Sequence, residues 1–375
     1  MRYGTVVGLL TLAGVLWAQT PKSVIGFETP QHGWLVLPGA GGKVELTENP
    51  NDVKSGKRAL RYTYTAAAGK LNAIIYLEPE LWAQGFRFWI KADRPALFAL
   101  SLQEQGGERW VAPFWVSGNE WQRVTIALAD FTLAEDTKPV NNKLDMDEVE
   151  GLGLIDVSAL FATTPEAAIL FGDQTGTHML WLDDFEFLSD APARRAAPNA
   201  LDDFQRDYLV WIATAYTTIR LEAGGMRVAY DLPFPYIFGV LRMIEPNALR
   251  DTKGVEVVIQ VKTPTTLAVF VEEQDGERWS ATFEAGGERK PEAKRLLWSQ
   301  FTITDDTKGK GDGKLTPATI KMLSLADWGA LTGGGPTSNR WLVSAYAVRF
   351  KHSPHPSPPR TRGGSGGSSP VYGGG

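Results

Sequence analysis

The feature that most constrains this chain is a long internal repeat. Residues 85–110 (GFRFWIKADRPALFALSLQEQGGERW) align without a gap with residues 254–279 (GVEVVIQVKTPTTLAVFVEEQDGERW). The match resumes downstream, where Asp136-Thr137-Lys138 corresponds to Asp306-Thr307-Lys308. Segments this far apart cannot belong to a solenoid, whose repeats span about 20 to 50 residues. The chain therefore contains two copies of one domain, and function has to be assessed copy by copy.

The two ends of the chain, and the segment between the copies, differ in composition from a folded domain. Arg2, the apolar run 6–17 and the small Ala18 are typical of an export signal. The segment between the copies is polar and rich in Pro and Ala, and the C-terminal stretch is rich in Pro, Gly and Ser. We predict a signal peptide over 1–18, copy one over 22–190, a linker over 191–200, copy two over 201–351 and a disordered tail over 352–375.

Composition excludes several classes of protein. Without cysteine the chain has no disulfide, no thiolate metal ligand and no cysteine nucleophile. A formal net charge of −5 argues against a nucleic-acid partner, which needs a basic surface. No segment reaches the roughly 18 consecutive apolar residues of a transmembrane helix. Together with the export signal, these features predict a protein that is secreted, periplasmic or at the cell surface.

The apolar residues follow the period of strands. Phe86, Phe88 and Ile90 alternate with side chains that must face the other way. Gly106-Gly107 and Asp275-Gly276 are typical of tight hairpin turns, where glycine supplies the required backbone angles. Long helical patterns are absent from the sequence. We therefore predict an all-β fold with two tandem antiparallel β-sandwich domains.

Five short motifs, taken in order, resemble the galactose-binding-like β-jelly rolls. They are Val24-Ile25-Gly26-Phe27-Glu28, Ser55-Gly56-Lys57 with Ala59-Leu60, the strand 85–93, the segment from Trp121 to Asp130-Phe131, and Trp181-Leu182-Asp183-Asp184-Phe185. Their order is similar to that of family-eleven-type carbohydrate-binding modules and of the complex I intermediate-associated protein domain. The resemblance covers residues 24–188 well and 201–350 more loosely. It implies a jelly roll with a concave face for glycans and, in many members, a structural calcium ion.

Trp89 is the strongest candidate for a ligand-binding side chain. Strand alternation points it away from the core, between Arg87 and Lys91. A flat indole beside cations suits a sugar, whose C–H face packs on the ring while its hydroxyls bond polar neighbours. The alternative is that Trp89 packs under a loop or within a second apolar face. The equivalent residues of copy two are Glu256, Val258 and Gln260. We therefore predict that glycan binding belongs to copy one.

Three further tryptophans of copy one are candidates for ligand contact. Trp110 and Trp115 follow the hairpin on one strand and, five residues apart, point to opposite faces. Trp110 recurs as Trp279, and recurrence in both copies favours the alternative of a role in folding. Trp34, near the start of copy one, is a candidate for the rim of the site.

Glu28, Asp183 and Asp184 are candidate ligands for a structural calcium ion in copy one. They lie near the two ends of the domain, which are adjacent strands in a jelly roll, and carboxylate and loop carbonyl oxygens suit Ca²⁺. Residues 54–56 would supply the carbonyl groups. The alternative is a pair of acids on an exposed edge strand. Copy two has Ser344-Ala345 in its closing strand, so we predict calcium in copy one alone.

The sequence contains no catalytic motif. It has no Gly-x-Ser-x-Gly, no paired metal-binding histidines and no glycine-rich phosphate loop, and no pair of carboxylates stands out for glycoside cleavage. We therefore predict an exported, non-catalytic protein that binds a polysaccharide or oligosaccharide on the aromatic residues of copy one. The alternative is a structural or assembly protein of the cell surface. Aromatic rings with polar neighbours on the outer face would favour sugar, and a broad aliphatic patch would favour a protein partner.

Overall fold

The computed structural model describes most of both copies. It covers residues 22–67, 70–134, 136–161, 172–191, 200–222, 225–231, 239–287, 290–336 and 338–349. The predicted signal peptide, nearly all of the predicted linker and the predicted tail lie outside these residues. Within them, no helix has the length and apolar character that crossing a membrane requires.

Copy one is built from two antiparallel six-stranded sheets. Its strands are β1 (Lys22–Ile25), β2 (Trp34–Val36), β3 (Lys43–Thr47), β4 (Ala59–Ala66), β5 (Ala73–Tyr76), β6 (Gly85–Ala92), β7 (Ala96–Glu104), β8 (Arg109–Val116), β9 (Gln122–Ala127), β10 (Thr132–Leu133), β11 (Val149–Asp156) and β12 (Gly176–Leu188), with one short helix, α1 (Val157–Phe161). Single 3₁₀ turns occur at Pro50–Asp52, Leu128–Asp130 and Met146–Glu148. Sheet A has the order β3-β4-β12-β6-β9, with β1 paired to β12, and sheet B has the order β10-β8-β7-β11-β5-β2.

Copy two repeats this architecture strand for strand. Its strands are β13 (Ala200–Asp202), β14 (Ile212–Ala213), β15 (Thr217–Glu222), β16 (Gly225–Asp231), β17 (Gly239–Met243), β18 (Thr252–Val261), β19 (Thr265–Glu273), β20 (Arg278–Ala285), β21 (Glu292–Leu297), β22 (Thr302–Ile303), β23 (Ile320–Asp327) and β24 (Ser338–Arg349), with helix α2 (Trp328–Leu331) and 3₁₀ turns at Trp298–Gln300 and Pro317–Thr319. Sheet C has the order β15-β16-β24-β18-β21, with β13 on β24, and sheet D has the order β14-β17-β23-β19-β20-β22. The predicted duplication and the predicted antiparallel sandwich are both confirmed.

Strand alternation places the aromatic residues of sheet A in the core of copy one. Phe86, Phe88, Phe185 and Phe187 are fully buried. The rings of Phe88 and Phe185 stack with their centroids 5.3 Å apart. Full burial of such a side chain contributes about 1.5–3 kcal/mol to folding. Copy two has smaller aliphatic residues at the equivalent inward positions of β18, namely Val255, Val257 and Ile259.

The segment 104–110, which recurs as 273–279, anchors a loop in each copy. In copy one, Glu104 accepts hydrogen bonds from the Trp110 indole at 3.0 Å and from the Asp145 amide at 2.7 Å. In copy two, Glu273 accepts from the Trp279 indole at 2.7 Å, and the loop amide of Thr316 donates to its other oxygen at 2.8 Å. The buried glutamate thus ties the hairpin to the loop before β11 or β23, which explains why this segment is retained in both copies.

The two copies contact each other through apolar residues. The amide of Trp115 on β8 donates to the Leu209 carbonyl at 2.8 Å, so the chain entering copy two extends the edge of sheet B. Trp115 and Leu97 pack in the same core cluster as Leu209 and Trp211 of copy two. Tyr208 packs in return within the core cluster of copy one.

Polar contacts complete this interface. Asp207 accepts hydrogen bonds from the amide and the hydroxyl of Thr125 at 3.0 and 2.6 Å. The Arg220 guanidinium lies 3.1 Å from the Glu120 carboxylate. The copies are therefore docked onto each other, which the polar linker composition did not indicate.

Candidate functional site

Trp89 lies on the outer face of sheet A, as alternation predicts, but cations cover its ring. The side chain is partly exposed and belongs to neither core cluster. The Lys54 ammonium lies 4.1 Å from the ring centroid, and the Arg123 guanidinium lies over the ring at 6.0 Å. Each such cation–π contact contributes about 0.5–1 kcal/mol at an exposed site. A sugar ring would have to displace these cations before it could stack on Trp89.

Arg87 and Lys91, which flank Trp89 in the row of outward-facing side chains of β6, are bound to other parts of copy one. Arg87 donates to the Thr125 hydroxyl at 3.3 Å and lies 3.8 Å from the Glu186 carboxylate. Lys91 is buried, and its ammonium donates at 2.7 Å both to the Asn51 carbonyl and to the Asp52 carboxylate. The loop that holds the Pro50–Asp52 turn therefore covers one end of the row. The row is not the open stacking platform that the sequence suggested, and its role in sugar binding stays a prediction.

The other three predicted aromatic contacts are wrong, because the structure buries all three side chains. Trp34 is 1% exposed and packs edge-on against Phe185 in the core of copy one. Trp110 is 8% exposed and is bonded to Glu104. Trp115 is 4% exposed and points, as alternation predicts, to the face opposite Trp110, where it meets copy two. None of them presents a ring face to solvent.

The three predicted calcium ligands do converge on one loop. Asp183 accepts from the amides of Lys54 and Ser55 at 2.9 and 3.0 Å. The Ser55 hydroxyl donates to Asp184 at 2.7 Å. Glu28 accepts from the Lys57 amide at 2.9 Å. The sequence analysis named residues 54–56 as a source of carbonyl ligands, whereas the loop turns the N–H groups of Lys54 and Ser55 towards Asp183, and the calcium site stays a prediction.

The charge of Asp183 is poorly compensated. The residue is fully buried, and burial, with a smaller contribution from the neighbouring Asp184 charge, raises the pKa of its carboxyl to about 6. Gly56 has a positive φ of 64°, and a β-carbon there would lie 1.9 Å from the Glu28 oxygen, so a side chain at this position would require Glu28 to move away from the loop. Three carboxylates around a glycine-containing loop are a donor set that suits Ca²⁺, although their oxygens would have to draw closer together to share one ion.

A second acidic group lies in copy two, where no metal was predicted. Within the described residues, Glu273, Asp275 and Glu277 form the one group of three or more acidic or histidine side chains whose ligand atoms all lie within 4.8 Å of one another. Glu277 accepts from the amides of Gly311 and Gly313 at about 3.0–3.1 Å, and Glu273 holds the Trp279 indole. These acids fix loops within the fold, which accounts for their proximity without an ion.

Copy two has an open cleft beside a partly exposed tryptophan. The cleft has a volume of about 530 Å³. Its lining residues are Ser280, Ala281, Thr282, Leu296, Gln300, Thr302 and Trp328. Trp328 is the first residue of α2, whose start is capped by the Asp327 carboxylate accepting from the Ala330 amide at 2.9 Å. Its indole is partly exposed and lies 6.1 Å from the partly exposed ring of Phe270, at an angle of 50°.

Register aligns polar groups with this aromatic pair. Phe270 on β19 is paired with Ser324 on β23 and with Ser280 on β20, and Ser280 is paired with Thr302 on β22. Directly paired residues project from the same face, so these four side chains form one row across the outer face of sheet D. In the described part of the chain, the hydroxyls of Ser280, Thr282 and Thr302 have no protein hydrogen-bond partner. They are free to bond a ligand.

The equivalent face of copy one is different in character. The corresponding row across sheet B is Gly153, Ser101, Val111 and Thr132, without an aromatic residue. Val157 occupies the position of Trp328 and packs against the core cluster of copy two. The aromatic cleft is therefore a property of copy two, and docking covers the matching position in copy one.

Comparison with known proteins gives similarity of structure only. No family model and no curated protein matches the chain. The chain is similar to the family 11 carbohydrate-binding module of the cellulosomal cellulase Lic26A-Cel5E of Clostridium thermocellum, with 14% identity and a TM-score of 0.35, over 48% of this chain and 100% of that one. It is also similar to the N-terminal CBM22-1–CBM22-2 tandem of Paenibacillus barcinonensis Xyn10C, with 15% identity and a TM-score of 0.28, over 88% of this chain and 99% of that one.

A third similar structure is the Clostridium thermocellum family 11 module in complex with a β-1,3-1,4-mixed-linked tetrasaccharide. The identity is 14% and the TM-score 0.34, over 46% of this chain and 97% of that one. The kind of module that the sequence motifs resemble is thus among the similar structures. At this degree of similarity, the fold assignment rests on the strand order described above.

Proposed function

We propose that the chain is a non-catalytic carbohydrate-binding protein whose sugar site is the cleft of copy two. The observation that carries this proposal is the partly exposed Trp328 indole beside Phe270, bordered by hydroxyl groups that have no hydrogen-bond partner among the described residues. The C–H face of a pyranose ring packs on an indole, and its hydroxyls bond to Ser, Thr and Gln side chains. Copy one lacks such an arrangement at the equivalent positions.

The ligand that suits this cleft is a neutral oligosaccharide. Its volume of about 530 Å³ lies within the roughly 300–1,000 Å³ of small-molecule sites. The residues that line it carry no charge, so nothing there would compensate a sulfate or a uronate. The cleft is open at the edge of sheet D, where β22 is the last strand in the described residues and pairs with Trp279 and Ser280 of β20. A chain of several sugar units can therefore extend along the edge.

Calorimetric titration of a soluble β-glucan oligosaccharide into the full chain tests this proposal. Loss of one stacking indole removes about 1–1.5 kcal/mol, so Trp328→Ala should weaken binding about tenfold or more. Trp89→Ala is the matched variant, since it removes the partly exposed indole that the sequence favoured. We expect it to leave the affinity unchanged. Loss of binding in Trp89→Ala alone would place the sugar on copy one instead.

We further propose that copy one binds a calcium ion and that the chain is exported. Glu28, Asp183 and Asp184 would hold the ion, whose charge would compensate the buried Asp183 carboxylate. Support for the ion comes from the donor chemistry and from the raised pKa of Asp183. Export to the cell surface, the periplasm or the medium follows from the N-terminal sequence and is proposed on that ground.

A further inference from the structure

The floor of the cleft in copy two is apolar, although most of its rim is polar. Ala281 and Leu296 line the cleft and belong to the core cluster of copy two. They are 7% and 6% exposed. Their equivalents in copy one by strand register, Ala112 and Ile126, are 1% and 0% exposed. The cleft of copy two therefore reaches the space between the sheets and exposes a small apolar notch, which we define by Ala281 and Leu296.

An amide side chain is fixed beside this notch. Gln300 lines the cleft, and its side-chain oxygen accepts from the Leu297 amide at 2.7 Å. Only the oxygen of an amide can accept from an N–H group, so the exposed NH₂ group of Gln300 is left to donate to a ligand. In copy one the equivalent residue is Asp130, whose carboxylate lies 3.7 Å from the Arg206 guanidinium. Copy two thus has a neutral donor where copy one has a paired acid.

The backbone of β20 supplies a second donor. Alternate residues of an antiparallel strand turn their N–H and C=O groups to the same side. The Arg278 carbonyl accepts from the Thr304 amide at 2.8 Å, on the side of β22, and Ser280 and Thr282 turn the same way. Pairing with β22 ends at Ser280, and in the described part of the chain Thr282 makes no backbone hydrogen bond on this side. Copy one has Pro113 at this position, which has no N–H group.

These groups complement an acetamido substituent better than a hydroxyl group. An acetamido group carries a methyl group, a carbonyl acceptor and an N–H donor on one planar, uncharged unit. The apolar notch suits the methyl group, and the carbonyl oxygen can accept from the Gln300 NH₂ group or the Thr282 N–H. The N–H can donate to the Thr282 carbonyl or the Ser280 hydroxyl. A sugar that carries hydroxyls alone would leave the notch without an apolar partner.

We propose that the sugar bound beside Trp328 is an oligosaccharide of N-acetylated amino sugars, whose acetamido group enters the notch. This inference rests on the proposed function, since it concerns the same cleft, and it names the class of sugar. Packing on the Trp328 indole is available to any pyranose ring. The notch, Gln300 and Thr282 supply the preference for the acetamido group. The equivalent positions of copy one offer none of these three features.

Calorimetric titration of the full chain with two uncharged oligosaccharides of equal length tests the proposal. The probes are the β-1,4-linked tetramers of N-acetylglucosamine and of glucose, which differ only in the substituent at carbon 2 of each ring. Burial of one methyl group together with one additional hydrogen bond amounts to about tenfold in affinity. We therefore expect the N-acetylated tetramer to bind about tenfold more tightly than the glucose tetramer, and Trp328→Ala to weaken the binding of both.

Gln300→Glu removes the side-chain donor without changing its shape. The carboxylate can still accept from the Leu297 amide, which keeps the local turn, but it offers no N–H to a carbonyl oxygen. The variant should bind the N-acetylated tetramer no more tightly than the glucose tetramer. Affinity for the glucose tetramer should change little, because a hydroxyl can donate to the carboxylate. Ser299→Asp, which puts the same charge on an exposed neighbour outside the cleft, should keep the preference.

The outcomes separate this inference from the proposed function. Equal affinities for the two tetramers, or tighter binding of the glucose tetramer, with both weakened by Trp328→Ala, would overturn the inference and leave the sugar site in place. A preference that survives in Gln300→Glu would also overturn it, because the acetamido group would then be recognised elsewhere. Binding of neither tetramer would overturn the inference and the proposed function together.

Discussion

The buried carboxyl of Asp183 makes stability depend on pH. Its pKa in the folded chain is about 6, against a usual value of 3.8, because burial disfavours the charged form. A raised folded pKa adds stability that is complete below about pH 4 and is lost as pH rises through about 6. The loss is of the order of 1–3 kcal/mol.

Asp183→Asn should remove this loss. The amide oxygen can still accept from the Lys54 and Ser55 amides, and the side chain no longer titrates. In urea unfolding without calcium, the free energy of unfolding of the variant should increase relative to that of the unchanged chain as the pH rises from 4 to 7. Parallel pH profiles for the two chains would show that Asp183 is not the titrating group.

Single residues were predicted well wherever strand alternation decides their direction. Alternation correctly put Phe86 and Phe88 inside, Trp89 outside, and Trp110 and Trp115 on opposite faces. It could not distinguish a face that is open to solvent from one covered by another part of the chain. Trp115 is buried by copy two, and Trp34 by the closing of the sandwich, through contacts between distant segments that no local pattern records.

At the scale of structural elements, calcium binding can be tested at the loop that contains Pro50–Asp52. Carboxylates from both ends of copy one hold residues 54–58 through N–H groups. Calcium bound to the native state alone raises stability by mass action, so it should raise the melting temperature of the full chain. Glu28→Gln should abolish that rise, whereas Asp275→Asn, in the acidic group of copy two, should not. Identical melting curves with calcium and with chelator would show that the hydrogen bonds hold the loop unaided.

The sheets could be predicted from the sequence, but the cleft could not. Period-two patterns and the repeat fixed the strands, and each strand of copy one has its counterpart in copy two. The cleft depends on register, which brings Phe270, Ser280 and Thr302 into one row from three separate strands. A residue-by-residue comparison of the copies would have signalled it, since Ser101 becomes Phe270 and Val157 becomes Trp328. That signal is recognisable only once strand pairing is known.

At the scale of the whole molecule, the two copies pack against each other and share a core cluster. Trp115 belongs to copy one by sequence and to the core cluster of copy two by packing. Calorimetry should therefore show one unfolding transition for the full chain. Trp115→Ala should lower the free energy of unfolding by about 3–5 kcal/mol, the usual cost of removing a buried aromatic ring. Pro113→Ala, at an exposed position of the same strand, is the control. Two independent transitions, with that of copy two unaffected by the variant, would instead show that the copies unfold separately.

The central claim is that a sugar binds beside Trp328. Fluorine NMR of the chain labelled with 5-fluorotryptophan tests it most directly, with the Trp328 and Trp89 resonances assigned by substitution. Titration with a soluble β-glucan oligosaccharide should shift the Trp328 resonance progressively to saturation and leave that of Trp89 in place. A shift confined to Trp89, or no shift at either residue, would contradict the claim.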